Sequence, residues 1–132
     1  MGCKNLGPTC ETKNMKAYIR QDGIVFLMIG AVETIEELNE IGEELYKLSS
    51  RIDGKAKVLV DMVNAVSHDD VEYNRQAIII TQGILNKTSK IAVFGPSAIV
   101  RTSVFGMVSK TSLPNIVKFF KNEEMAIAWL KE

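Results

Sequence analysis

Residues 57–63, Lys57-Val58-Leu59-Val60-Asp61-Met62-Val63, form a short run that would place apolar side chains on both faces of a strand. Such strands usually lie inside a sheet that is covered on both sides, with parallel neighbours. A loop and a long apolar helix, expected over roughly residues 69–86, follow this run. The strand, loop and helix together indicate an α/β fold, and their junction is the first place to look for a site.

The other elements alternate in the same way. An Asp22-Gly23 hairpin turn joins a predicted strand at 15–20 to another at 24–29, and Thr34 with Glu37 forms a capping box that starts a helix. Further strands are predicted at 90–94 and 116–120, each followed by a helix. The order β-β-α-β-α-β-α-β-α predicts a mainly parallel five-stranded sheet with an antiparallel edge strand and about four helices.

The 132 residues suit one domain, expected over 15–132 after a flexible N-terminal lead at 1–14. Cys3 and Cys10 lie in this lead, and their spacing matches neither a redox pair nor a zinc site. Sixteen acidic and sixteen basic residues give zero net charge, which disfavours nucleic acid as a partner. No apolar run is long enough for a membrane span. We therefore expect a soluble cytoplasmic protein without metal or cofactor.

The first candidate site is the start of the helix after the organising strand. Ser67 is predicted to be the N-cap, and Asp69 and Asp70 place negative charge at the positive end of the helix dipole. His68 and Asn74 add polar groups that a protein partner could contact. Adjacent helical positions point in different directions, so a metal site or a general base is disfavoured. Capping is the simplest interpretation, and partner binding is the alternative.

The second candidate site is the start of the next helix. Gly95, Pro96 and Ser97 open this helix, and Arg101 follows one turn later. Exposed backbone N–H groups with a nearby cation can hold a phosphate or a carboxylate. The motif lacks the Lys of a phosphate-binding P-loop. Ordinary capping with a solvated arginine is the simpler interpretation, and an anionic ligand or partner group is the alternative.

The helix over 69–86 carries isoleucines on more than one side. Ile78, Ile79 and Ile80 are consecutive, and Ile84 follows. A helix that is apolar around most of its circumference needs more than one neighbour. Three explanations remain open: burial between other helices and the sheet, contact with another subunit, or the wall of a lipid-sized pocket.

The sequence resembles the SpoIIAA-like branch of the STAS fold, which is loosely related to CRAL-TRIO lipid-binding domains. The resemblance extends from about Met15 to Glu132. It depends on the strand at 57–61, on Lys90-Ile91-Ala92-Val93-Phe94-Gly95-Pro96 with Arg101, and on the ending 117–130, which closes in Ala128-Trp129-Leu130. None of these segments is a catalytic signature, so the resemblance implies a fold more than an activity.

In anti-sigma factor antagonists of this superfamily, a kinase phosphorylates a serine in an Asp-Ser-Ser-Gly loop at the start of the second helix. His68-Asp69-Asp70-Val71 stands at that loop here, without the serine or the glycine. The resemblance thus implies a non-enzymatic regulatory or protein-interaction module that lacks the phosphoserine switch. The alternative is a carrier or sensor of a small apolar or acidic lipid-like ligand.

A homodimer is also expected. In the resembling fold the helices lie mostly on one side of the sheet, whereas residues 24–29 and 91–94 are apolar on both sides. A second copy would be the simplest cover for the other face.

Overall fold

The computed structural model describes residues 9–112 and 114–132. This part of the chain forms six strands and four helices, which alternate after the first three strands, and a short 3-10 turn, Pro114–Ile116, precedes the last strand. The strands are β1 Thr9–Thr12, β2 Met15–Ile19, β3 Val25–Ile29, β4 Ala56–Asp61, β5 Thr88–Phe94 and β6 Val117–Phe120. The helices are α1 Ile35–Ser50, α2 Val71–Leu85, α3 Ala98–Val108 and α4 Glu123–Leu130.

The strands form one sheet in the order in which they occur along the chain, β1-β2-β3-β4-β5-β6. The pairs β1–β2 and β2–β3 are antiparallel, whereas β3 to β6 pair in parallel. The predicted fold class is confirmed. The sheet has one strand more than predicted, and the edge position expected for β2 belongs to β1.

The extra strand falls within the lead that was predicted to be flexible. Thr9 pairs with Tyr18 and Thr12 with Met15, and Cys10 is buried in the core. The prediction was wrong for Thr9–Thr12 because a short polar edge strand has little periodicity of its own and depends on the ladder of its neighbour. Residues 1–8 of the predicted lead, Cys3 among them, lie outside the described residues.

The central strand β4 is buried on both faces, as its composition predicts. Val58 and Leu59 point to opposite faces of the sheet, and both have 0% exposure. Val58 belongs to the larger core cluster, which includes Leu45 and Leu48 of α1 and Leu85 of α2. Leu59 belongs to a second cluster, in which Ala126 and Leu130 of α4 are buried.

Helix α4 therefore covers part of the face that was expected to lack helices. Leu130 of this helix packs in one cluster with Leu59 and Ala92 of the sheet, and all three residues have 0% exposure. The premise of the homodimer argument was thus incomplete, because the terminal helix returns across the sheet instead of continuing the series of α1 to α3. The homodimer itself stays a prediction.

Helix α1 is anchored at its first turn, where the capping box is present as predicted. Thr34 Oγ1 accepts the N–H of Glu37, and the Glu37 carboxylate accepts the N–H of Thr34 and of Glu33. The Asn14 side chain, from the turn between β1 and β2, donates to the same carboxylate over 2.8 Å. The bond from the Glu33 N–H is the largest cause of a lowered Glu37 pKa, with the Asn14 bond next.

The loop between β2 and β3 is wider than the predicted two-residue turn. The N–H of Arg20 donates to the Ile24 carbonyl over 2.8 Å, so three residues separate these partners. Gly23 takes a positive φ of 85°, and Asp22 bonds both the Arg20 guanidinium and the N–H of Ile24. The turn chemistry was identified correctly, but the extent of the loop was not.

Gly95 lies where β5 ends, beside the end of β4. Its φ is +81°, and a Cβ at this position would overlap Val63 Cγ2. The N–H of Met62 donates to the Phe94 carbonyl over 3.0 Å, which joins the two strand ends at this point. A glycine is therefore required both for its backbone conformation and for the close approach of Val63.

We expect Gly95→Ala to lower the free energy of unfolding by at least about 1 kcal/mol, because alanine disfavours left-handed backbone and would contact Val63. Urea denaturation measures this effect. The matched control is Gly83→Ala in α2, where an added Cβ meets nothing within 4 Å. This control should raise the free energy of unfolding by about 0.5–1 kcal/mol through helix propensity. Equal effects of the two substitutions would contradict the conclusion that position 95 requires glycine.

Candidate ligand cleft between helices α2 and α3

An open cleft of about 330 Å³ lies between α2 and α3. Both helices follow parallel strands, and the loop after β4 forms part of the wall. The cleft, called here the α2–α3 cleft, is lined mainly by apolar side chains. They come from β3, α1, the β4–α2 loop and both helices, and include Ile29, Leu38, Met62, Ile78, Val104 and Met107.

The cleft exists because α3 is held near its ends and is loosely packed along its middle. Val100 and Val108 are the buried residues of this helix. Ser112 lies beyond the C-terminal end of α3, and both its N–H and its hydroxyl bond the side chain of Gln82 in α2, each over 2.8 Å. Between these attachments the Thr81 hydroxyl meets Met107 Sδ at 3.9 Å. The middle of α3 therefore leaves space beside α2 instead of closing on it.

One wall of the cleft carries an aromatic pair. The rings of His68 and Tyr73 stack at 3.7 Å between centroids, 17° from parallel. The Asn74 amide donates to the His68 carbonyl over 3.0 Å and holds the loop against the helix. Burial, with a smaller contribution from the Glu37 carboxylate, raises the pKa of Tyr73 to about 12. A phenol is already neutral at pH 7, and the raised pKa keeps Tyr73 protonated into more alkaline solution.

The start of α2 differs from the prediction in one respect. Asp70 is the N-cap, and its carboxylate accepts the N–H of Glu72 over 2.8 Å and of Tyr73 over 3.1 Å. Ser67, the predicted cap, lies three residues earlier in the loop and lines the α2–α3 cleft. Both residue types are good caps, so composition alone did not decide between them.

The predicted polar residues around this junction separate into two groups. Ser67, His68 and Asn74 line the α2–α3 cleft. Asp69 and Asp70 are exposed at the helix start and do not line it. This junction therefore offers the cleft polar groups without a carboxylate, and Asp69 and Asp70 lie elsewhere.

The second candidate site is occupied by local contacts. Ser97 is the N-cap of α3, with its hydroxyl accepting the N–H of Val100 over 3.3 Å. The Arg101 guanidinium lies over the Phe119 ring, 5.4 Å from its centroid. The presence of glycine at position 95 is explained by its positive φ, without an anion. Anion binding by Gly95, Ser97 and Arg101 stays a prediction, and these residues do not line the α2–α3 cleft.

Of the three explanations left open for the isoleucines of α2, complete burial does not describe all of them. Within this helix Ala77 and Leu85 are buried, whereas Ile79 is 59% exposed. Ile78 lines the α2–α3 cleft, and Ile79, Ile80 and Ile84 line an open groove between α1 and α2. This second depression is called here the α1–α2 groove. The helix therefore forms a wall of two depressions.

Sequence reasoning missed several residues that line the cleft. Tyr73, Thr102, Ser103, Gly106 and Lys110 all line it. The available signal was in α3, where an arginine, two hydroxyl residues and a glycine interrupt an otherwise apolar helix. A helix of this composition cannot fill the space beside its neighbour.

The described part of the chain, residues 9–112 and 114–132, lacks two further features. Among those residues, no group of three or more His, Cys, Asp or Glu side chains is arranged to hold a metal ion. No helix there has the length and apolar character needed to cross a membrane.

The SpoIIAA-like family model matches residues 24–131, which include β4, both helices of the cleft and α4. The chain belongs to the SpoIIAA-like family. A crystal structure of an uncharacterized DUF3478-family protein from Shewanella loihica PV-4, described as having a SpoIIAA-like fold, aligns with a TM-score of 0.64. The alignment covers 88% of this chain and 91% of the other at 16% identity, so it supports the fold alone. No curated protein matches the chain.

The N-cap assignment in this SpoIIAA-like chain can be tested by substitution. We expect Asp70→Ala to lower the free energy of unfolding by about 1 kcal/mol, because two backbone N–H groups lose their acceptor. Asp70→Asn should stay close to wild type, since asparagine caps equally well. Ser67→Ala should change it by no more than about 0.5 kcal/mol. A larger loss from Ser67→Ala than from Asp70→Ala in urea denaturation would refute the assignment.

Proposed function

We propose that this SpoIIAA-like domain is a non-catalytic carrier or sensor that binds a small apolar or amphipathic ligand in the α2–α3 cleft. The observation that carries the proposal is the cleft itself, an open depression of about 330 Å³ with a mainly apolar lining. Ligand pockets of proteins span roughly 300–1,000 Å³ and combine an apolar wall with a few polar groups. The cleft is at the small end of this range, which favours a compact ligand.

The polar groups of the cleft support binding more than chemistry. His68 is stacked on Tyr73, and Asn74 is bonded to a backbone carbonyl. Thr102 donates its hydroxyl to the Ala98 carbonyl over 3.0 Å. No nucleophile beside a general base is among these groups. We therefore assign them to orienting a ligand and propose no reaction.

We expect the neutral fluorescent probe phenylnaphthylamine to bind the wild-type domain and Gly106→Leu to weaken this binding at least about tenfold, because the new side chain occupies the cleft. An added Cβ on Gly106 meets nothing within 4 Å, so the fold should tolerate the change. Fluorescence titration gives the affinity. NMR spectra give the location, because the Ile78 methyl resonances should shift and those of Ile79 should not.

Gly83→Leu is the matched control. It is also a glycine-to-leucine change in a helix with open space around the Cβ, but Gly83 lines the α1–α2 groove. The control should bind the probe as wild type does. Equal loss in both variants, or probe shifts confined to Ile79, would reject the α2–α3 cleft as the site.

A second candidate function is a regulatory protein-interaction module, as the sequence first suggested. The start of α2 favours it, because Val71 is 67% exposed there beside Asp69, Asp70 and Asn74. Asp70 holds the N-cap where the resemblance implied a phosphoserine loop. We propose that this surface contacts its partner with a fixed negative charge and without a phosphoserine switch.

The second candidate includes a homodimer through α2. Ile79 and Tyr46 are exposed by 59% and 53%, and both line the α1–α2 groove. We expect sedimentation at micromolar concentration to give a species of twice 14.7 kDa, and Ile79→Lys to shift it to the monomer. Ile99→Lys is the control, because Ile99 is still more exposed but lies on α3. A single wild-type species at 14.7 kDa would exclude the dimer.

A further inference from the structure

The α2–α3 cleft has an unequal charge distribution in a chain that is balanced overall. The chain has sixteen acidic and sixteen basic residues. Among the residues that line the cleft, the ionisable ones are His68, Tyr73 and Lys110, and none is a carboxylate. The carboxylates next in sequence to lining residues are Glu37, Asp61, Asp69 and Glu72, and none of them lines the cleft. Asp69, Asp70 and Glu72 are exposed, and Glu37 and Asp61 are half-buried. The lining thus supplies hydrogen-bond donors and one ammonium group, and the Glu37 carboxylate acts on Tyr73 from outside the lining.

The α1–α2 groove, on the other side of the same helix, has the opposite character. Glu43 of α1 lines it, and no lysine or arginine does. The two depressions share α2 as a wall and are both largely apolar, with Ile78 in one and Ile79 in the other. The Lys87 ammonium lies 4.6 Å from the ring centroid of Tyr46, a residue of the groove. The groove therefore combines a carboxylate with a nearby cation, whereas the lining of the α2–α3 cleft has a cation and no carboxylate.

Lys110 is well placed to contact an anionic group at the rim. It lies two residues beyond the end of α3, where its N–H donates to the Met107 carbonyl over 3.2 Å. The side chain is exposed, and within the described residues it belongs to no salt bridge. A lysine stem can lie along apolar surface while its ammonium group stays in water. The backbone of Lys110 is thus fixed, while its charge is free to contact a ligand.

We propose that the α2–α3 cleft selects anionic amphiphiles, with the apolar part against Met62, Ile78 and Met107 and the anionic head at Lys110. This inference rests on the proposed function, because it names the ligand class of the same cleft. Tyr73 presents a phenol, which is neutral at pH 7 with or without burial and so adds no competing negative charge. Lys110 is accordingly a specificity-determining residue.

The test uses the full chain and three compounds that differ in the head group alone: decanoate, decanol and decylammonium. NMR titration at neutral pH should give the tightest binding for decanoate and the weakest for decylammonium, with the Ile78 methyl resonances reporting occupancy. Lys110→Gln should weaken decanoate binding about fivefold, the upper value for an exposed ion pair. The same variant should leave decanol binding unchanged.

Lys121→Gln is the matched control, since Lys121 is also exposed but lies outside the cleft lining. Decanoate binding should not change in this variant and should weaken with added salt in wild type. Equal binding of the three compounds, or an equal loss for decanoate and decanol in Lys110→Gln, would overturn the inference and leave the cleft as a ligand site. Failure of all three compounds and of phenylnaphthylamine to bind would overturn both proposals.

Discussion

The burial of β4 on both faces is the constraint on which the rest of this structure depends. Val58 and Leu59 alternate across the strand, and both are completely buried. A strand of this kind needs apolar cover above and below the sheet. Helices α1 and α2 provide it on one face, and α4 provides it on the other. The centre of the fold is therefore complete without a close contribution from α3.

This division of roles explains why the cleft lies beside α3. Val100 and Val108 are the buried residues of α3, and the bonds between Gln82 and Ser112 secure the segment that follows it. An element with few buried contacts belongs to the less stable part of a protein, from which binding regions are commonly drawn. Under the proposed function, α3 is the wall of the α2–α3 cleft that we expect to adjust to a ligand.

Much of the fold could be predicted because local signals agreed with the tertiary structure. The capping box of Thr34 and Glu37 starts α1 as expected. The predictions failed where two local solutions were nearly equal in energy or where no local signal existed. Ser67 and Asp70 are both suitable caps, and the structure uses Asp70. The strand Thr9–Thr12 carries no apolar pattern and exists through its pairing with β2.

The candidate site was less predictable, since a cleft is defined by what fails to pack. The sequence by itself determined the two-faced strand, the alternation of strands and helices, and the surplus of isoleucine on α2, because these follow from side-chain periodicity along one segment. It also placed Ser67, His68 and Asn74 at the correct junction. Only the tertiary structure decided that α4 crosses to the second face and that α2 is a wall of two depressions. Only the tertiary structure, likewise, brought Lys110 to the cleft and kept Asp69 and Asp70 out of it. These outcomes depend on the separation and orientation of helices that are distant in sequence, and no local pattern encodes them.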